Sequence, residues 1–261
     1  MSVVTDTLRL YGACARESRA AIARSPWAAV FLLVAFVVQF AAGMLVAPLG
    51  LLGSIALGFL RAFLVGWYLA LVHHALMHRR ALTLEDVRNR AGALFQETIS
   101  ILFLFSIAAL LLGLASPMLP LVAVPAAAVI FNAAPELIYQ GRTRGTDLLG
   151  EAWDFLRRNW PEWLAVNAVV MALGIAVHAT MTGAFGPGDL LAGFQLFGPF
   201  FGFMDVPSWG VGWLGLPSGL IPGLILGLLA HAFMVFRGAL FQQLASGSRR
   251  ARAFRARAYG R

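Results

Sequence analysis

The chain contains no lysine, one cysteine and few charges of any kind. Cys14 alone excludes an intrachain disulfide and a cysteine-based metal site, and it reads as a small apolar residue. Charged residues make up 12% of the chain and hydrophobic ones 60%, a balance that excludes an ordinary soluble domain. No catalytic serine elbow, kinase signature or HExxH pattern occurs. The run Gly210-Val211-Gly212-Trp213-Leu214-Gly215 formally matches the dinucleotide fingerprint. It lies in an aromatic, proline-containing stretch, whereas the fingerprint works only between a strand and a helix. With lysine absent, all 20 basic residues are arginine, and the accompanying wealth of Ala and Gly suits a GC-rich bacterial genome.

What is present is apolar and arginine-punctuated. Six apolar stretches lie near 27–47, 57–77, 95–115, 118–138, 161–182 and 219–243, each close to the roughly 20 residues a membrane helix needs. The first is too long and too far from Met1 for a cleaved signal, so it is expected to be a retained span. Four segments hold 18 of the 20 arginines: the N-terminal one from Arg9 to Arg24, Arg79 to Arg90, Arg142 to Arg158, and Arg249 to Arg261. These are alternate segments, and the three gaps between them hold none; Arg61 and Arg237 fall inside apolar stretches. Cytoplasmic loops retain arginine, so both termini are expected in the cytoplasm of a bacterium, with the chain crossing its inner membrane six times. The expected fold is all-α, a polytopic six-transmembrane-helix bundle forming one domain over 1–245, followed by a basic cytoplasmic tail, 246–261. The net charge of +8 flanks membrane segments, which points to anionic headgroups at the cytoplasmic face and not to nucleic acid.

Amphipathic cytoplasmic segments precede several spans. An N-terminal helix over 5–24 sets Leu8, Tyr11, Ala15 and Ile22 along one side and enters the membrane at Ser25-Pro26-Trp27. Thr83 to Asp86 fits a capping box, with a helix expected to run from Leu84 into the third span. Leu148, Leu149, Ala152, Trp153 and Leu156 share helical spacing and lead to a second entry point at Asn159-Trp160-Pro161. The pattern reads as a threefold repeat, or simply as the interfacial helices any polytopic protein needs. The stretch Pro125 to Val170, with Asn132-Ala133-Ala134-Pro135-Glu136-Leu137 followed by Leu148 to Trp160, resembles the YciC-like group of bacterial inner-membrane proteins. That group is related to the membrane domain attached to some glycerophosphodiester phosphodiesterases. The resemblance implies six spans with an amphipathic helix before a late hairpin, and implies no reaction.

Between the last two spans, an outer aromatic loop over 183–218 carries Asp189 and Asp205, no basic residue, and many Phe and Trp residues. Loops longer than about 15 residues without regular structure tend to be functional. This one is expected to be a lid, an interfacial plug or a docking surface for a membrane-protein partner.

Within the spans, Gly219, Gly223 and Gly227 recur every fourth residue, a spacing that lets a neighbouring helix approach closely and turns His231 inward. His73, His74 and His78 invite a metal. His231, however, lies about 13 Å deeper than His74 by helix rise, so a diiron site is not expected, and no metal or cofactor is assigned. Arg237 and Glu136 differ in depth by roughly 6 Å, within reach of an arginine stem. A pair between them, shared with Glu97, is expected in the cytoplasmic half, and a charge swap is expected to preserve it. Arg61 reaches toward the outer interface if its span starts near 57. If the span starts near Gly50, Arg61 sits at mid-depth and becomes a site for an anionic group. Gln39, Asn132 and Asn167 are expected to bond between helices.

These features support a non-enzymatic integral inner-membrane protein, an accessory or scaffold subunit of the envelope. The alternative is a transporter or lipid-handling permease with a cavity near Arg61 and His231. The topology has a direct check. Tags fused at Met1 and Arg261 should both be accessible only from the cytoplasmic face of sealed vesicles, and accessibility from opposite faces would overturn the six-pass count.

Overall fold

The computed structural model describes residues 3–78, 80–116, 118–141, 145–182 and 220–246. Within these the chain is helical and forms no strand: α1 (Val3–Arg24), α2 (Pro26–Val46), α3 (Leu51–Met77), α4 (Leu84–Asn89), α5 (Phe95–Ala115), α6 (Leu119–Ile130), α7 (Ala134–Gln140), α8 (Asp147–Thr182) and α9 (Leu220–Ala245). Helices α2, α3, α5 and the Leu228–Ala245 part of α9 are long and apolar enough to cross a membrane. Their outward faces are bare: Leu45 on α2 is 80% exposed and Leu114 on α5 is 76% exposed. Soluble monomers rarely leave apolar surface of that extent open, whereas acyl chains cover it at no cost. The outer loop 183–218, Gly219 and the tail from 247 onward lie outside the described residues, as do the surroundings of Gly223 and Gly227.

Helix α3 is the axis of the bundle and packs on α1, α2, α5, α7 and α9. Its first turns are exposed, but from Ala62 to Ala75 it is mostly buried. The close fit depends on Gly66, where a Cβ would come within 2.8 Å of the Leu94 carbonyl oxygen. Trp67 beside it ties α3 to α4, donating its indole N–H to the Val87 carbonyl at 2.7 Å.

Four elements differ from the sequence expectation. Helix α3 starts at Leu51 and not near 57. The apolar stretch 118–138 is two helices, α6 and α7, separated at Phe131-Asn132-Ala133. Pro135 explains the break: it has no N–H to offer the Phe131 carbonyl, and its ring crowds that carbonyl. The amphipathic segment after 147 and the span after 161 are, conversely, one 36-residue helix, α8, running through Pro161. The helix expected from Leu84 into the third span stops at Asn89, because Gly92 turns the chain at φ 73° before α5 begins.

The capping box at α4 forms, with the Asp86 backbone N–H donating to Thr83 Oγ1 and Thr83 N–H donating to the Asp86 carboxylate. The Thr83 backbone and hydroxyl bonds, supported by Arg80, hold the Asp86 carboxyl well below the usual carboxylate range. A lowered value means that the cap is intact at neutral pH and released only in strong acid.

Helix α1 packs along α9. Its buried seam is Cys14, Ser18 and Ala21, continued by Ser25. Of the expected side, Leu8 (63% exposed) and Ala15 face outward, whereas Tyr11 packs against the core. The seam residues are small, which brings the two helices close. Their hydroxyls are satisfied within the helix, Ser18 donating to the Cys14 carbonyl and Ser25 to the Ala21 carbonyl. Tyr11 ties α1 to α8 by donating to the Glu162 carbonyl at 2.6 Å.

Burial, with Glu17 nearby, pushes the Cys14 thiol up to about 12. The thiolate is the reactive form. Alkylation of Cys14 in the folded protein should therefore be negligible at neutral pH and appear only on denaturation or at strongly alkaline pH. Rapid labelling by a maleimide at pH 7 would show that the α1–α9 seam is open.

Candidate functional site

Two polar places lie inside the bundle at different depths. The first is built around Arg237, whose side chain is wholly buried on α9. Its Nε and Nη2 donate to the two carboxylate oxygens of Glu136 on α7, each at 3.0 Å. Nη2 also donates to the Asn132 carbonyl, in the break between α6 and α7. The guanidinium lies 4.9 Å from the centre of the Trp163 ring on α8, and Trp163 donates its indole N–H to Asn132 Oδ1 at 3.0 Å. A planar fork meeting a carboxylate bidentately, with an aromatic face beside it, is the geometry to which arginine is suited. The break at Pro135 is part of this centre, because it turns a backbone carbonyl toward the cation.

Gly238 keeps this region tight, since a Cβ there would collide with the Tyr139 hydroxyl and a Leu76 methyl. About two turns before it, His231 is buried on α9, and its Nδ1 shares a hydrogen bond of 2.8 Å with the Tyr68 hydroxyl on α3. His231 Nε2 is buried without a hydrogen-bond partner among the described residues. His74 is buried on α3 with its ring stacked on His78 at 4.3 Å, and no three potential metal ligands converge among the described residues.

The second place is a cavity of about 590 Å³ between α3, α5 and α6, with Gln39 of α2 at its edge. Arg61 lines it with Ser54, Ser106 and a largely apolar remainder that includes Leu57, Phe105 and Ala109. Because α3 starts at Leu51, Arg61 lies ten residues into the helix, about 15 Å along its axis.

Of the residues singled out from sequence, the structure brings Arg237 and Glu136 together. Glu97 stands in the first turn of α5, half-buried. Among the described residues the cavity is lined by Arg61 and not by His231. Asn132 bonds between elements, whereas the Asn167 amide donates to the Trp163 carbonyl within α8. Trp163 and Tyr68 were not foreseen. For Trp163 a signal existed, since Asn159, Trp163 and Asn167 recur every fourth residue and all three are buried. Comparison with family models, with curated proteins and with solved structures finds no match.

Arg237 also donates to a carbonyl, so exchanging the two charges would set a carboxylate against the Asn132 oxygen. The swap expected from sequence to restore the pair should therefore fail. Removing one member of a buried pair costs about 3–5 kcal/mol, whereas replacing both by apolar residues is often close to neutral. Arg237→Met and Glu136→Leu should each sharply lower the melting temperature in detergent, and the double variant should recover most of the loss. A double variant no better than the singles would show that the ion pair is not the source of the effect.

Proposed function

We propose that this chain is a non-enzymatic six-span protein of the bacterial inner membrane, with both termini in the cytoplasm, that binds an anionic amphiphile entering sideways from the bilayer. In this reading the α6–α7 pair makes the fourth crossing, the later part of α8 the fifth and α9 the sixth. The observation that carries the function is the cavity around Arg61, which sets a cation at mid-span among apolar walls. Charged side chains at membrane depth are costly and usually serve a pathway or a ligand. Pockets of several hundred cubic ångströms with few polar groups suit small-molecule ligands.

The arginine distribution supports the orientation, and the resemblance to the YciC-like group is compatible with a role without catalysis. A second role, as an accessory or scaffold subunit, draws on α5, of whose residues only Thr98 and Ile101 are buried. An interface there would leave the cavity free.

Filling the cavity separates the two roles. Ala109→Phe combined with Ala123→Leu should abolish lipid that co-purifies in mild detergent, read by native mass spectrometry, with little change in melting temperature. Unchanged lipid stoichiometry in a folded variant would remove the support for ligand handling.

A further inference from the structure

Helix α8 buries one side of its first half and leaves the other bare. Leu148, Ala152, Phe155, Leu156 and Asn159 are buried against the bundle. Away from it, Trp153 is 48% and Trp160 59% exposed, and Asp154, Arg157 and Arg158 are exposed between them. We propose that this side holds the headgroup of an ethanolamine-type phospholipid, with the phosphate on Arg157 and the ammonium between Asp154 and Trp153. The face is separate from the cavity, and its assignment to lipid rests only on the reading that the later part of α8 crosses the bilayer.

Trp153, Arg157, Trp160 and Leu164 are spaced four, three and four residues apart, so they share one side of the helix. Two tryptophans thus bracket an arginine, about 10 Å apart along the axis. Their side chains and that of Arg157 form no hydrogen bond, ion pair or ring contact among the described residues. Arg158 donates its Nε to the Asp154 backbone carbonyl at 3.0 Å, and the Asp154 carboxylate is left without an ion pair among the described residues. Water covers such tryptophans poorly, whereas the bilayer interface suits an apolar ring with one N–H to donate.

The order of charges selects the headgroup. Three residues bring Arg157 about 4.5 Å outward from Trp160, inside the layer of roughly 5–8 Å that the headgroups of each leaflet add to the hydrocarbon. There a guanidinium can take two phosphate oxygens at once. Asp154 stands about 4.5 Å farther out again. The ammonium of an ethanolamine headgroup sits two methylenes beyond its phosphate on the water side, where Asp154 offers a carboxylate and Trp153 a ring face. A glycerol headgroup would gain nothing from Asp154 and would meet its charge with the phosphate. The helix dipole does not explain the order, because its effect fades within the first turn and Asp154 is the eighth residue of α8. Toward the membrane, the half-buried Leu164 and the exposed Ala168 continue the same side as an apolar track for an acyl chain.

The test uses the delipidated full chain in non-ionic detergent, titrated with phosphatidylethanolamine and phosphatidylglycerol of identical acyl chains and read by native mass spectrometry. Phosphatidylethanolamine should bind about fivefold tighter, the scale of one exposed ion pair. Asp154→Asn should bring the two lipids to equal affinity, and Arg157→Gln should weaken both by the same factor. Both side chains are exposed, so the melting temperature should not change in either variant. The cavity-filled Ala109→Phe/Ala123→Leu variant should keep the preference, which places it on α8. Equal affinities in the parent chain, a preference that survives Asp154→Asn, or one lost on filling the cavity overturns the assignment. So does a dimer in the same spectra that Trp153→Ala dissociates, which would give the face to a second copy. The crossing by α8 is read separately, by an epitope inserted in the 183–218 segment that should be accessible only from the outer face. A failed lipid preference and a failed crossing are therefore distinguishable.

Discussion

A guanidinium and a carboxylate that leave water must satisfy each other, and the arrangement of α7, α8 and α9 follows from how Arg237 and Glu136 do so. Each is wholly buried, and neither is stable there without a partner whose geometry is close to ideal. The requirement reaches beyond the pair. Arg237 has more donors than one carboxylate can take up, and the break at Asn132 supplies a further acceptor. Trp163 closes the remaining side with its ring face and returns a bond to the Asn132 side chain. The proline that interrupts an otherwise continuous apolar stretch is therefore a constructive element. It exchanges an intrahelical bond for a fixed cation site.

The two arginines inside apolar helices meet different neighbours. Arg237 is enclosed by aromatic and acidic neighbours and acts as internal mortar. Arg61 lies on the wall of a cavity whose other surfaces are mostly hydrocarbon. Two arginines within apolar stretches thus sit in different surroundings, one enclosed by an ion pair and one bordering open space. Helix α7 brings Glu136 to Arg237, and the described cavity walls from α5 and α6 are mostly alanine, leucine and phenylalanine.

Much of the helical content was legible because it depends on local quantities. The run of apolar residues predicted α2 and α5 to within a residue or so, and the Thr83–Asp86 spacing predicted the α4 cap. The Arg237–Glu136 contact was also within reach, since helix rise alone puts the two at compatible depths. The failures are places where one residue's chemistry decides a long-range outcome. Pro135 breaks a stretch and Pro161 does not, and the difference lies in tertiary partners that hydropathy does not encode. The side of α1 read from sequence coincides only in part with its buried seam. The closest helix approach runs along the small residues Cys14, Ser18 and Ala21, while of the expected side Tyr11 packs inward and Leu8 and Ala15 are exposed. The cavity was invisible because it arises from the absence of bulk on three helices at one height.

Helix α8 runs unbroken for 36 residues, about 54 Å of continuous helix, longer than the roughly 30 Å thickness of a hydrocarbon layer. Near its middle it is fastened to α1 by the Tyr11 hydroxyl on the Glu162 carbonyl. A rigid member held at an intermediate point behaves as a lever. Tilting one end displaces the other in the opposite sense, and the N-terminal helix sits at the fulcrum.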